Sequence, residues 1–295
     1  MSHQSMCARH IEFAYHRGAR PLVDASIDIP AASRVAILGA NGSGKTTLLR
    51  VLAGSLKPVR GTVEVGGVEL RHNRSGLRAH RQAVQLVLQN PDDQLFSADV
   101  AHDVAFGPVN LGLDRTQVGE RVAESLQLLS IEALAARPTH ELSYGERKRV
   151  AMAGAMAMRP CVLLLDEPTA GLDPAGVDEM FRALDRLEEH GTTVVLSTHD
   201  TTMALEWSNS VAVVSGGRVR QGEPHRLLSD ADLMSAARLR PPWLIQLIDC
   251  LSAEGIEIPS QDGLQGVEDL AKQIVALLGP HRGRRPQGVH STRVG

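Results

Sequence analysis

The 295-residue sequence predicts an α/β fold wound around a parallel sheet, and three observations carry that expectation. "CVLLLDEP" and "TTVVLSTHD" are continuous apolar runs of strand length, the pattern of strands covered on both faces. A third run, in "RVAILGANGSGKTTLLRVLAG", leads through a glycine-rich loop directly into a helical pattern. Helices between such runs complete βαβ units.

Other elements fill in around these. Residues from about 8 to 70 alternate short apolar runs with turn residues, and "GTVEVGGVEL" reads as a hairpin. Between Asp114 and Ser130 the residues Val118, Val122, Leu126 and Leu129 recur at helical spacing, which marks a helical insertion between about 97 and 158. Alternation resumes in "VAVVSGGRVRQGEP", where Gly216-Gly217 suits a tight hairpin turn. Beyond Leu228 the pattern changes to short amphipathic helices broken at Pro241-Pro242, with Trp243, Leu244, Leu247, Ile248 and Leu251 expected on one buried face. The layout is therefore a main domain over 1–228, a helical segment over 229–280 and a basic tail over 281–295. That tail carries Arg282, Arg284, Arg285 and Arg293 with no acid, so it is expected to be disordered and solvated; contact with lipid headgroups or nucleic acid is the alternative.

Bulk composition excludes several function classes. Lys plus Arg (31) against Asp plus Glu (34) leaves −3, so no overall positive field favours nucleic acid, and no nucleic-acid partner is expected. Three widely spaced cysteines (Cys7, Cys161, Cys250) fit a reduced compartment, with Cys161 packing in a strand. No stretch reaches the roughly 18 apolar residues of a membrane span, and the first residues lack a signal peptide's apolar run. The chain is expected in the cytosol, reaching a membrane only through partners.

The chemistry concentrates in four places. "GANGSGKTT" (Gly39, Ala40, Asn41, Gly42, Ser43, Gly44, Lys45, Thr46, Thr47) follows a strand and opens a helix, the context a phosphate loop requires. Its glycines let backbone N–H groups turn onto phosphate oxygens at a helix N-terminus. Lys45 would reach the outer phosphates and the Thr46 hydroxyl would ligate Mg²⁺. In "LLLDEP", Asp166 and Glu167 fall where a buried strand ends, so both carboxylates should emerge beside that loop. Asp166 can hold Mg²⁺ through its water shell, and Glu167 can accept a proton from an attacking water. "STHD" sets His199 at another strand end, able to donate to the terminal phosphate. Gln89 follows the strand in "LVLQNPDDQLF"; it either completes the Mg²⁺ shell or simply starts a loop.

"GANGSGKTT", Gln89, "LSYGERKRV", "LLLDEP", "GLDP" and "STHD", in that order, resemble the nucleotide-binding subunit of ATP-binding cassette (ABC) transporters. The resemblance implies a P-loop NTPase core of the ABC type with an antiparallel β subdomain, a helical subdomain and a small C-terminal helical appendage. It implies ATP and Mg²⁺ as ligands, and Tyr15 as the aromatic that stacks on adenine, with Phe13 as the fallback. It further implies that Gln89 senses a membrane partner and that Asp173 bridges two sites of a dimer. The Ser143 hydroxyl and N–H, the Gly145 N–H and neighbouring Glu146 belong to a signature segment that would face a second subunit's nucleotide. Two positions depart from the usual signature, Tyr144 in place of Gly and Glu146 in place of Gln.

"VLQNPDDQLFSADVAHDVAFGPVNLGL" narrows the resemblance to the energy-coupling-factor group, and especially to cobalt and nickel uptake ATPases. That group implies integral membrane partners, a second ATPase subunit (identical or different) and a peripheral position on the cytoplasmic face of the membrane. Its extra C-terminal segment corresponds to Leu228–Leu278, read either as a dimerisation element or as a lid over the core. Tyr144 either stiffens the dimer face or is neutral. A vitamin-uptake ATPase, a soluble ABC ATPase outside transport and a non-hydrolysing regulator are the rival readings.

Overall fold

A computed structural model describes residues 4–278 apart from 17, 190, 257 and 259–265. The tail at 281–295 lies outside the described residues. The chain begins with β1 (Met6–Phe13), β2 (Leu22–Ile29) and β3 (Arg34–Leu38), followed by α1 (Lys45–Leu52). Next come β4 (Arg60–Val65), β5 (Val68–Glu69), α2 (Arg74–Ala83) and β6 (Val84–Val87). Three helices occupy the predicted insertion: α3 (Val100–Asn110), α4 (Arg115–Leu128) and α5 (Tyr144–Met156). The chain then alternates through β7 (Val162–Asp166), α6 (Pro174–Glu189), β8 (Thr193–Thr198), α7 (Thr201–Trp207), β9 (Ser210–Ser215) and β10 (Arg218–Gly222). Four helices follow: α8 (Pro224–Leu228), α9 (Ala231–Ala237), α10 (Trp243–Ala253) and α11 (Val267–Leu278).

Among the described residues the strands form one sheet in the order β5-β4-β1-β2-β10-β9-β3-β8-β7-β6. β6, β7, β8, β3 and β9 run parallel, whereas β1, β2, β4 and β5 pair antiparallel; a parallel contact between β10 and β2 joins the two parts. Both glycine pairs lie between paired antiparallel strands. Gly66 and Gly67 have φ of 58° and 76° and Gly216 and Gly217 have 57° and 75°, values a two-residue hairpin turn demands.

The continuous apolar runs have a simple physical explanation, because each central strand feeds two cores. Val35 and Ile37 of β3 face the core that also holds α1, β1, β2 and β4, while Ala36 and Leu38 face the helical core of α4 to α7. In β7, Val162 and Leu164 join the first core, and Leu163 and Leu165 join the second. Period-two alternation persists here, but both phases are apolar because neither face meets water.

The C-terminal segment packs on the helical core through Met234, Leu244, Ile245 and Ile248. This corrects the expected face of α10. Trp243 and Leu247 are 37% and 39% exposed, and Ile245 takes the buried position. The buried stripe is 244, 245 and 248, with Leu251 partly buried against the same core, because the surrounding helices cover this side of α10. Cys161 stands one residue before β7, where it packs partly buried against the first core.

Leu196, in the middle of β8, is fully buried. Leu196→Ala is expected to cost about 2–5 kcal/mol of stability, since a central position has little freedom to collapse around the cavity. A chemical denaturation series would measure this as a lower midpoint at unchanged slope.

Candidate nucleotide site

Register brings the site together. Leu38 of β3 lies opposite Thr198 of β8, and Asp166 of β7 lies opposite Ser197, so three neighbouring parallel strands end at one level. Their carboxyl ends open onto a cleft of about 710 Å³.

The loop from Gly39 to Gly44 forms one wall. Gly42 and Gly44 have φ of 80° and 111°. A Cβ on Gly44 would fall 2.7 Å from the Pro21 carbonyl oxygen, and one on Gly39 would fall 2.4 Å from Ser43 Oγ, so side chains are excluded where the loop turns. Ser43 Oγ is itself buried without a hydrogen-bond partner. The first-turn N–H groups of α1 point out of the helix start, as at any helix N-terminus. Lys45 folds back over the loop, its Nζ donating to the carbonyl oxygens of Gly39 at 2.7 Å and Ala40 at 3.4 Å.

The ends of β7 and β8 form the opposite wall. Asp166, 4% exposed, accepts a 2.6 Å hydrogen bond from Ser197 Oγ. Glu167 has a left-handed backbone, φ 47°, and its N–H is shared between the carbonyl oxygen of Ser197 (3.2 Å) and Ser197 Oγ (3.1 Å). The Glu167 carboxylate lies 3.3 Å from Lys45 Nζ and 3.2 Å from His199 Nδ1. One buried carboxylate thus meets the ammonium of the phosphate loop and the imidazole of the neighbouring strand end. This arrangement can receive a proton while holding the other two groups in reach of a shared substrate.

Tyr15, Asn41, Gly42, Gly44, Lys45, Thr46, Thr47, Gln89, Glu167 and His199 line this cleft, while Gly39, Ala40 and Ser43 form the loop beneath it. The Tyr15 hydroxyl meets Thr47 Oγ1 at 3.1 Å, and its ring, 41% exposed, stands edge-on to Phe13 at 4.9 Å. Phe13 itself is a core residue, so of the two candidate aromatics only Tyr15 lines the cleft.

Besides Asp166, buried just behind it, the assigned residues Ser143, Gly145, Glu146 and Asp173 do not line this cleft. Ser143 caps α5, its Oγ accepting from the Glu146 N–H at 3.2 Å. The Glu146 carboxylate closes the box by accepting from the Ser143 N–H at 2.7 Å and also meets Arg137 at 3.3 Å. Within one chain the Ser143 N–H and Glu146 thus satisfy each other in a capping box at the start of α5. Asp173 Oδ1 accepts from the Gly176 N–H at 2.7 Å at the start of α6.

Sequence reasoning missed Ala19, Arg20 and Pro21, which line the cleft from the loop before β2 and carry no motif, only adjacency to Tyr15. It also missed Ser197, which sits inside the "STHD" segment that singled out His199. The Ser-x-x-Glu spacing at 143–146 was a legible capping signal.

Thr46 and Gln89 line the cleft, whereas Asp166 is buried at the end of β7 outside its lining; a hydroxyl, an amide oxygen and a carboxylate are the hard oxygen donors that could hold Mg²⁺. Among the described residues no group of three or more His, Cys, Asp or Glu could hold a metal ion by itself.

Backbone N–H groups, a helix start and one ammonium converge on the same side of the cleft, opposite paired acids. Together with the sheet order this defines the class, a phosphate-loop ATPase. The ABC transporter family profile matches residues 22–170, and the chain belongs to that family. The cobalt import ATP-binding protein CbiO of Rhodobacter capsulatus is 47% identical over 243 residues, which span 82% of this chain and 87% of that one. An energy-coupling factor transporter ATP-binding protein, EcfA, of Methanothermobacter thermautotrophicus is 41% identical over 272 residues, 92% of this chain and 86% of the other. Among solved structures, cbiO1 of Clostridium perfringens, described as part of the ABC transporter complex cbiONQ, superposes with a TM-score of 0.71 at 37% identity, covering 83% of this chain and 98% of its own.

Hydrogen bonding from the Ser143 N–H, the largest cause, holds the Glu146 carboxyl below the usual glutamate range. A depressed carboxylate stabilises the fold above its ordinary pKa of about 4.3, and this contribution is lost as pH falls through the lower folded-state value. Glu146→Ala is expected to cost about 1 kcal/mol at pH 7, with the gap from the unsubstituted chain narrowing under acid conditions. Thermal melts of both chains across pH 3–7 would check the sign.

Proposed function

We propose that this chain is the ATP-hydrolysing subunit of an energy-coupling-factor-type importer that takes up cobalt or nickel ion. The observation that carries the reading is the Lys45–Glu167–His199 cluster, set in a cleft that the Ser143 signature of the same chain does not line. In this reading two subunits close head to tail, each bringing Ser143 and Gly145 to the other's nucleotide, with Asp173 between the sites. Tyr15 stacks on adenine. Thr46, Gln89 and Asp166 would hold Mg²⁺, which supplies charge neutralisation at the phosphates when bound.

The residues of the chain then act in sequence. Phosphate oxygens compete with Glu167 for the Lys45 ammonium, so binding of ATP frees the Glu167 carboxylate to face water. Glu167 takes a proton from that water as its oxygen bonds to the terminal phosphorus and the bond to the ADP oxygen breaks. His199 donates to the departing phosphate and keeps the water aligned.

A membrane partner would sense this cycle through the Gln89 loop. That loop borders a second cavity of about 660 Å³ lined by Arg74, Arg78 and Arg81 of α2 and by Phe96 and Phe106. The two phenyl rings meet edge to face at 4.6 Å, yet both are exposed, an apolar pair that suits burial beneath a partner. No helix among the described residues is long and apolar enough to cross a membrane; in this reading the membrane partners hold the subunit at the cytoplasmic face. Residues 1–228 would form the nucleotide-binding domain, and 229–280 an appended segment that helps two subunits dimerise or covers the core. A second reading keeps the same ATPase and the energy-coupling-factor assembly that the EcfA relative's name gives, with a vitamin as the cargo.

Glu167→Gln is expected to lower phosphate release by about a hundredfold or more, while ATP still binds and a dimer persists in sedimentation. A variant that stays monomeric in ATP would remove the sandwich. Replacing Phe96 and Phe106 by Ala should release the chain from its membrane partners in a pull-down while leaving phosphate release in solution within about twofold.

A further inference from the structure

α5 carries a lysine that the proposed chemistry does not use. Lys148 is 3% exposed, and its Nζ donates to three backbone carbonyl oxygens: Glu167 at 3.1 Å, Pro168 at 2.9 Å and Ala170 at 2.7 Å. An ammonium has three N–H groups, so these contacts use all of them. The three acceptors belong to the turn that leaves β7 and begins at the left-handed Glu167. A buried charge on neutral carbonyls is costly unless every donor is matched, which ties the turn closely to the lysine.

Tyr144 closes the arrangement from the other side. Its ring centroid is 5.2 Å from Lys148 Nζ, within cation–π range. A Cβ on Gly171 would come 3.0 Å from that ring, so glycine there lets the turn approach it. The Tyr144 hydroxyl donates to the Gln89 carbonyl oxygen at 3.3 Å. The two residues that look like an arbitrary variation and one more charge in "LSYGERKRV" thus join three parts of one chain: the signature helix, the acidic turn and the Gln89 loop.

We propose that Lys148 is a positioning residue for ATP hydrolysis: capped by the Tyr144 ring, it holds the Glu167–Ala170 turn so that the Glu167 carboxylate faces the phosphate loop. The proposal rests on the reading of Glu167 as the base. It makes a movement of the signature helix felt at the acid of its own chain, in addition to the nucleotide of the neighbour. Burial brings the Lys148 pKa down to about 8, with Glu167 and Asp166 opposing the shift, so the carbonyl cage and nearby acids keep the cation in place.

The test uses the full chain. Lys148→Met keeps length and flexibility but removes the three donors; it should lower kcat about tenfold, with KM for MgATP and the dissociation constant of a non-hydrolysable ATP analogue within about twofold. Lys148→Arg, whose planar fork cannot converge on three carbonyls from one nitrogen, should recover part of the loss. Adding Lys148→Met to Glu167→Gln should lower the residual rate by less than about twofold, because the two act through one carboxylate.

Wild-type kcat in Lys148→Met, or factors that multiply in the double variant, would overturn the proposal. If Lys148→Met does not fold, Tyr144→Ala is read by the same kcat and KM split, and unchanged kcat there overturns it equally. Glu167→Gln alone separates the two readings. Unchanged hydrolysis in that variant removes Glu167 as the base, whereas collapsed hydrolysis there with full turnover in Lys148→Met removes only the role of Lys148.

Discussion

The constraint on which this molecule depends is the shared register of β3, β8 and β7. Leu38 opposite Thr198 and Asp166 opposite Ser197 leave three strand ends level, and the phosphate loop, Asp166, Glu167 and His199 hang from those ends. A slip of one residue in any of them would exchange its two apolar faces between cores of different shape. It would also carry Asp166 or Ser197 away from the 2.6 Å bond that joins the two strand ends. The two cores therefore do more than stabilise the sheet, because they fix the relative height of the acids and the phosphate loop.

Much of this was legible in the chain because the relevant signals are local. The glycine loop, the apolar runs ending in Asp166-Glu167 and in His199, and both glycine-pair hairpins each announce themselves within about ten residues. The α/β class follows from the runs alone, since strands covered on both faces have no polar phase to display. Tyr15 was legible only through the family resemblance and Gln89 also through its place after an apolar strand, and both line the cleft.

What was not legible depends on contacts between distant segments. Nothing near Lys148 distinguishes it from its charged neighbours Arg147 and Arg149, yet it is buried on carbonyls about twenty residues away in sequence. The face of α10 was misjudged because contacts with the rest of the chain decide which side of a largely apolar helix is covered: Trp243 and Leu247 stay partly exposed while Ile245 is buried. The inward turn of Glu146 is a local matter: at the third position after a serine cap, a glutamate turns back on its own helix.

The left-handed backbone of Glu167 has a consequence for how this protein responds to selection. A residue with a Cβ at φ 47° carries local strain of about 1–2 kcal/mol that glycine does not, and that asparagine carries to a smaller degree. With Glu167 as the proposed base, a search for heat-tolerant variants that ignores turnover will drift toward replacing this one acid, gaining melting temperature at the expense of hydrolysis. Stability and chemistry pull in opposite directions at a single dihedral angle, so thermal robustness has to be sought in the two cores and not at the strand end.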